Sequence, residues 1–180
     1  MVRSPLKYLI EDKDVHLSSH PAVQSLAGAT REAPVAIWKK VAKVLMVKSS
    51  QSFRLLLSLQ HWYGELVPSD ELVNWAKRNG KRARIIVAEL ISVSAPLPEH
   101  ARQLIIAFPD DNDLLSIFAG QLFAGSWVGP MSGHTESVLN KIQVLEADTN
   151  PRVSAWASRL RAGTAKQLER ERLQEEDDEL

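Results

Sequence analysis

Residues 145–160 read LEADTNPRVSAWASRL, and the punctuation in this stretch governs how the rest of the chain is parsed. Asn150 is a capping residue type. Pro151 after it suits the first helical position, where an N–H would have no intrahelical partner. Val153, Trp156, Ala157 and Leu160 then recur at i, i+3, i+4 and i+7, which is one face of an α-helix. The small Ala157 on that face lets a neighbouring helix approach closely. Just upstream, Val138, Leu139, Ile142 and Leu145 form the same kind of stripe over about 135–146. Two apolar stripes separated by one short turn predict an antiparallel helix pair.

Working outward, the same signals repeat. Pro21 opens a short helix that is expected to end at Gly28. Pro34 opens the next, with Trp38, Val41, Ala42 and Leu45 on one face. Serines 49, 50 and 52 supply caps for a helix in which Phe53, Leu56, Leu57, Leu59, Trp62 and Tyr63 make a broad apolar surface, as if packed between neighbours. Ser69 can cap a helix carrying Leu72, Val73, Trp75 and Ala76, and Asn79-Gly80 ends it. Residues 81–93 follow with Ala83, Ile86, Val87, Leu90 and Ile91 on one side, until Pro96 and Pro98. Beyond these come a helix with Ala101, Leu104, Ile105 and Phe108, and one capped by Asp111 with Leu114, Ile117, Phe118, Leu122 and Phe123 buried. Residues 1–20 are weakly periodic, with a strand-like piece at Leu6–Ile10. No convincing run of alternating strand formers occurs elsewhere.

Helix starts near 69, 98 and 134, with partners near 81, 111 and 151, give a spacing of roughly 30–40 residues, close to the HEAT and armadillo range. The segment Leu145–Leu160 resembles the second helix of a HEAT repeat. Asp148, Pro151, Val153, Ala155, Ala157 and Leu160 stand at matching places. The family's basic residue follows the Val, whereas here Arg152 precedes Val153 and Ser154 follows it. The resemblance covers residues 69–180. It implies an all-α chain of antiparallel helix pairs stacked as a short HEAT-like α-solenoid, with an irregular helical bundle as the alternative. Residues 1–33 read as a partly irregular lead-in, 34–165 as the helical-repeat domain and 166–180 as a charged tail that extends the last helix and then frays. In a stack, such a polar end acts as the terminal cap. GSWVGP before a helix, with a charged run after NPRVSAWA, is also similar to C-terminal regions of large bacterial multidomain proteins.

The composition is that of an ordinary globular chain, with 44% hydrophobic and 24% charged residues over 180 positions. Cysteine is absent, which excludes disulfides, thiolate metal sites and a Cys nucleophile. No membrane span or signal-peptide core is present, so a cytoplasmic location with no membrane partner is expected. The zero net charge hides a polarity. Residues 1–90 hold 14 basic against 8 acidic side chains, and residues 91–180 hold 8 against 14, with half of those acids from Glu169 onward.

No pattern of catalytic or cofactor-binding residues occurs. His16 and His20 have the i, i+4 spacing of a metal pair, but Pro21 argues against the helix this would need. Asp110, Asp111 and Asp113 are explained by helix capping without a cation. No metal, no cofactor and no catalytic residue is therefore expected. Two features suggest binding. Lys77, Arg78, Lys81, Arg82 and Arg84 place five positive charges in eight residues across a helix–helix turn. Trp127 sits in a glycine-rich loop, where it can plug a gap between helix pairs or anchor a partner. The expected function is a non-catalytic scaffold or recognition module that binds another protein or another domain of a larger bacterial assembly. The alternative is a nucleic-acid-binding helical domain that uses the basic turn, since phosphates are read by charge.

Overall fold

A computed structural model of the chain describes residues 21–178. Every regular element among them is helical: eight α-helices and one 3-10 turn, with no strand. The strand-like piece at Leu6–Ile10 and the His16/His20 pair lie outside the described residues. No described helix is long and apolar enough to cross a membrane. The chain divides after Ser92 into two compact units.

The first unit holds α1 (Pro21–Glu32), α2 (Pro34–Leu45), α3 (Ser50–Leu59), the 3-10 turn Tyr63–Leu66 and α4 (Ser69–Leu90). Prolines start α1 and α2 as expected. Gly28 does not end α1, which runs a further turn and buries Thr30. Ser49 caps α3, its hydroxyl accepting from the Ser52 amide at 3.1 Å. Ser69 does not cap α4; Pro68 takes that position and Ser69 is the first helical residue. Inside α4, Gly80 adopts φ 75° and ψ −161°, which breaks the helix into the two arms foreseen around Asn79-Gly80.

The core of this unit is aromatic at its centre. Trp38 meets Trp75 edge-on, with ring centroids 5.0 Å apart, and Tyr63 at 6.5 Å. The Thr30 hydroxyl bonds the Leu26 carbonyl at 2.8 Å and the Tyr63 hydroxyl at 3.0 Å. Thr30 has one proton and gives it to the carbonyl, so Tyr63 donates to Thr30. Gly64 lets the 3-10 turn press on the end of α4. A methyl group there would lie 2.6 Å from Ile91 Cγ1 and 3.0 Å from the Leu90 carbonyl oxygen.

The register of α3 departs from expectation. Leu55 and Leu59 are buried together with Ser52 and Ser58, while Phe53 is 62% and Leu57 46% exposed. The serines can enter because their hydroxyls bond backbone carbonyls: Ser52 to Val44 at 2.9 Å and Ser58 to Arg54 at 3.0 Å. The helix therefore buries one stripe and leaves a second, larger one uncovered.

The second unit holds α5 (Glu99–Ala107), α6 (Asn112–Phe123), α7 (Met131–Glu146) and α8 (Pro151–Asp178). Asp111 caps α6 through the Leu114 amide at 3.2 Å, and Asn150 accepts from the Arg152 amide at 3.0 Å. The most extensive packing is between α7 and α8, while α5 packs chiefly on α8 and α6 on α7. Their polar contacts run Glu146–Arg161, Glu136–Arg172 and Ser132–Glu175, descending one helix while ascending the other, so the pair is antiparallel. The charged tail extends the last helix as expected: α8 stays helical to Asp178, with Leu168 buried and Glu175 bonded to the start of α7.

Arginines close this unit where helix ends leave carbonyls unpaired. Arg102 of α5 forms a bidentate pair with Asp148, Nε to Oδ2 at 3.1 Å and Nη2 to Oδ1 at 3.1 Å. Arg152 donates to the Ile106 carbonyl and Arg159 to that of Pro109. The Arg102 hydrogen bond, joined by the Asn150 amide, holds the Asp148 carboxyl below the usual carboxylate range. Asp148 of the repeat-like segment thus pairs with a side chain 46 residues earlier, while Arg152 serves a backbone carbonyl.

Candidate functional site

The five basic residues singled out by sequence do not act alike. Lys77, Arg78 and Lys81 are exposed on either side of the Gly80 break, whereas Arg82 and Arg84 are half-buried. Arg78 Nε bonds the Asn74 carbonyl at 3.2 Å, and the Asn79 amide bonds that of Trp75 at 2.9 Å. Arg82 has a structural task. Its Nη2 reaches the carbonyls of Leu45 at 3.2 Å and Val47 at 3.3 Å, at the C-terminal end of α2. That end carries unpaired acceptors and the negative pole of the helix, and both favour a guanidinium. The run thus separates into three exposed cations near the break and two half-buried arginines, of which Arg82 fastens α4 to α2.

The same anchoring creates a cleft that sequence reading missed. The end of α2, the N-terminal half of α3 and the second arm of α4 border an open cleft of about 790 Å³. Leu45, Phe53, Leu56, Ile85 and Ile86 supply its apolar lining, and Lys48, Lys81 and Arg82 are its ionisable residues. This volume lies within the roughly 300–1,000 Å³ of ordinary binding pockets. The signal for it was present in SQSFRLLLSL, where two apolar stripes compete for one core. Which stripe loses depends on where α2 and α4 sit, and periodicity in α3 alone cannot decide that.

Trp127 belongs to the second unit. Its indole N–H donates to the Pro130 carbonyl at 2.8 Å, and its ring lies over Gly133, where a methyl group would come within 3.0 Å. The ring of His134 stands 5.7 Å away. Trp127 therefore folds back on its own loop and the first turn of α7, yet remains 45% exposed beside Val128 at 96% and Met131 at 56%. The ring braces the loop and also leaves an apolar tip in solvent.

Among the described residues no group of three or more His, Asp or Glu side chains converges as metal ligands would. The carboxylates held below their usual range are Asp148 and Glu175. The Ser132 hydroxyl and then its amide hold Glu175 down. Both contacts join elements of the second unit, and neither residue lines the cleft. Burial pushes the Tyr63 hydroxyl up to about 12. No family model matches the chain, no curated protein matches its sequence and no solved structure matches its fold.

Proposed function

We propose that this chain is a non-catalytic recognition module, a short stack of HEAT-like helix pairs acting as a scaffold for another protein in the cytoplasm of a bacterium. The observation that supports this reading is the uncovered apolar stripe of α3. Phe53, with 62% of its surface exposed, opens onto a formed cleft rather than onto bulk solvent alone. Large apolar groups gathered at one concave place mark a surface that another molecule covers. The polarised charge, basic before residue 90 and acidic after it, favours a partner that must be oriented as well as held.

Proximity labelling with the full chain as bait, followed by calorimetry with each purified candidate, tests the proposal. A stoichiometric complex of micromolar or tighter affinity supports it. Failure of every candidate to bind, together with sustained turnover in a broad substrate screen, overturns it.

A further inference from the structure

We infer that the cleft of the first unit receives an acidic, amphipathic α-helix from the partner protein. This inference rests on the recognition-module reading and names the chemistry of the partner at that site.

The size and lining of the cleft set the first constraint. About 790 Å³ bounded by Phe53, Leu56, Ile85 and Ile86 accepts more than one apolar side chain. Side chains one helical turn apart on a partner helix meet such a groove together, the usual geometry of helix-in-groove recognition. An extended peptide fits less well. It relies on backbone bonds to a sheet edge, and no strand exists among the described residues. A helix brings its own backbone bonds and needs only side-chain contacts.

Charge sets the second constraint. Every ionisable side chain lining the cleft is basic: Lys48, Lys81 and Arg82. The N-terminus of α3, opened by Ser49 and Ser50 on the same lining, adds the positive pole of that helix. Residues 21–92 carry 11 basic against 5 acidic side chains, a net +6, so the surrounding field has the same sign. Carboxylates beside the apolar anchors complete the match. A duplex nucleic acid would answer the charge alone and would leave Phe53, Leu56 and Ile85 in water.

The probe is a fluorescein-labelled helical peptide of about 18 residues, built of Ala, Glu and Leu with leucines at every third and fourth position, titrated against the full chain. Binding is expected, and it should weaken as salt rises. Phe53→Ser should weaken it about tenfold or more, the loss expected for one buried aromatic anchor. Lys48→Glu should weaken it too, whereas Val144→Ser, at an exposed position of α7, should leave it unchanged. Phe53 is largely exposed, so Phe53→Ser should keep the helical circular dichroism of the wild type. Four results each overturn the inference: no binding of the peptide, equal binding by Phe53→Ser, equal binding of a peptide with serine for leucine, or tighter binding of single-stranded DNA regardless of Phe53. If a partner found by proximity labelling binds Phe53→Ser as tightly as wild type, the cleft is wrong while the module reading stands.

Discussion

Gly64 and Gly28 are both glycines in the first unit, yet they respond to a methyl group in opposite ways. Gly64→Ala drives Cβ into Ile91 and the Leu90 carbonyl, and backbone cannot step aside as a side-chain tip can. A loss of about 1–3 kcal/mol is expected from this overpacking. At Gly28 nothing lies within 4 Å, and the residue sits inside α1. Gly28→Ala should therefore stabilise by about 0.5–1 kcal/mol, because alanine loses less entropy in a helix. Urea unfolding of the two variants checks both signs, and a stable Gly64→Ala would contradict the packing. Tyr63 gives a pH test. Its folded value of about 12 exceeds the unfolded value near 10, so the folded chain keeps a proton that the unfolded chain releases. Stability is fully present below about pH 10 and falls as pH rises toward 12, by up to about 3 kcal/mol. Tyr63→Phe should lose only about 1 kcal/mol at neutral pH, since Thr30 keeps its Leu26 carbonyl, and it should lack this alkaline drop. Unfolding curves for both chains from pH 8 to pH 11.5 measure the difference; parallel curves would reject it.

The helices themselves were readable from local chemistry. Pro21, Pro34 and Pro151 stand at helix starts, Ser49 and Asp111 cap, and Gly80 breaks α4, all of them effects that act within one turn. Two local signals misled, since α1 runs on past Gly28 and Pro68 rather than Ser69 holds the cap position of α4; the larger departures were effects carried across the fold. The buried face of α3 is chosen by α2 and α4, and Arg82 is claimed by carbonyls 35 and 37 residues earlier. The candidate site inherits this division. The cations Lys77, Arg78 and Lys81 were visible as a run, and the cleft beside them was not. The charged end of α8 shows the same limit. Its composition reads as solvated, yet Glu175 accepts from the amide and hydroxyl of Ser132, at the positive pole of α7. Those bonds hold the Glu175 carboxyl below its ordinary value, so this clamp is present above the usual carboxylate range and is lost as pH falls through it. Glu175→Gln should lower the melting temperature at pH 7 and narrow the gap to wild type at pH 3. A gap that does not change with pH would assign the loss to packing rather than charge.

The division after Ser92 leads to a prediction about the chain as a whole. The second unit closes its own polar contacts: Arg102 with Asp148, Arg152 and Arg159 with carbonyls at the end of α5, and the Val93 amide with the Gln121 side chain at 2.8 Å. Its core also lies within it, from Leu104 and Ile105 through Phe118 to Val138, Ile142 and Trp156. Chains of about 60 residues already bury enough surface to fold alone, although marginally. Residues 93–180, expressed without the first unit, should therefore keep a helical spectrum and melt cooperatively. The expected repeat domain, 34–165, runs across this boundary, and an uninterrupted stack would make the fragment lose its neighbour and its stability together. Circular dichroism of the fragment separates the two arrangements. A cooperative transition within about 5–10 °C of that of the whole chain means self-contained units, because each 1 kcal/mol moves the midpoint of a domain this size by roughly 4–8 °C. A fragment that is unstructured at 25 °C means the two units share one core. The same preparation lacks Phe53, Lys48 and Lys81, so it should also fail to bind the acidic helical peptide even when fully folded, which would place recognition in the basic unit by a route independent of point substitution.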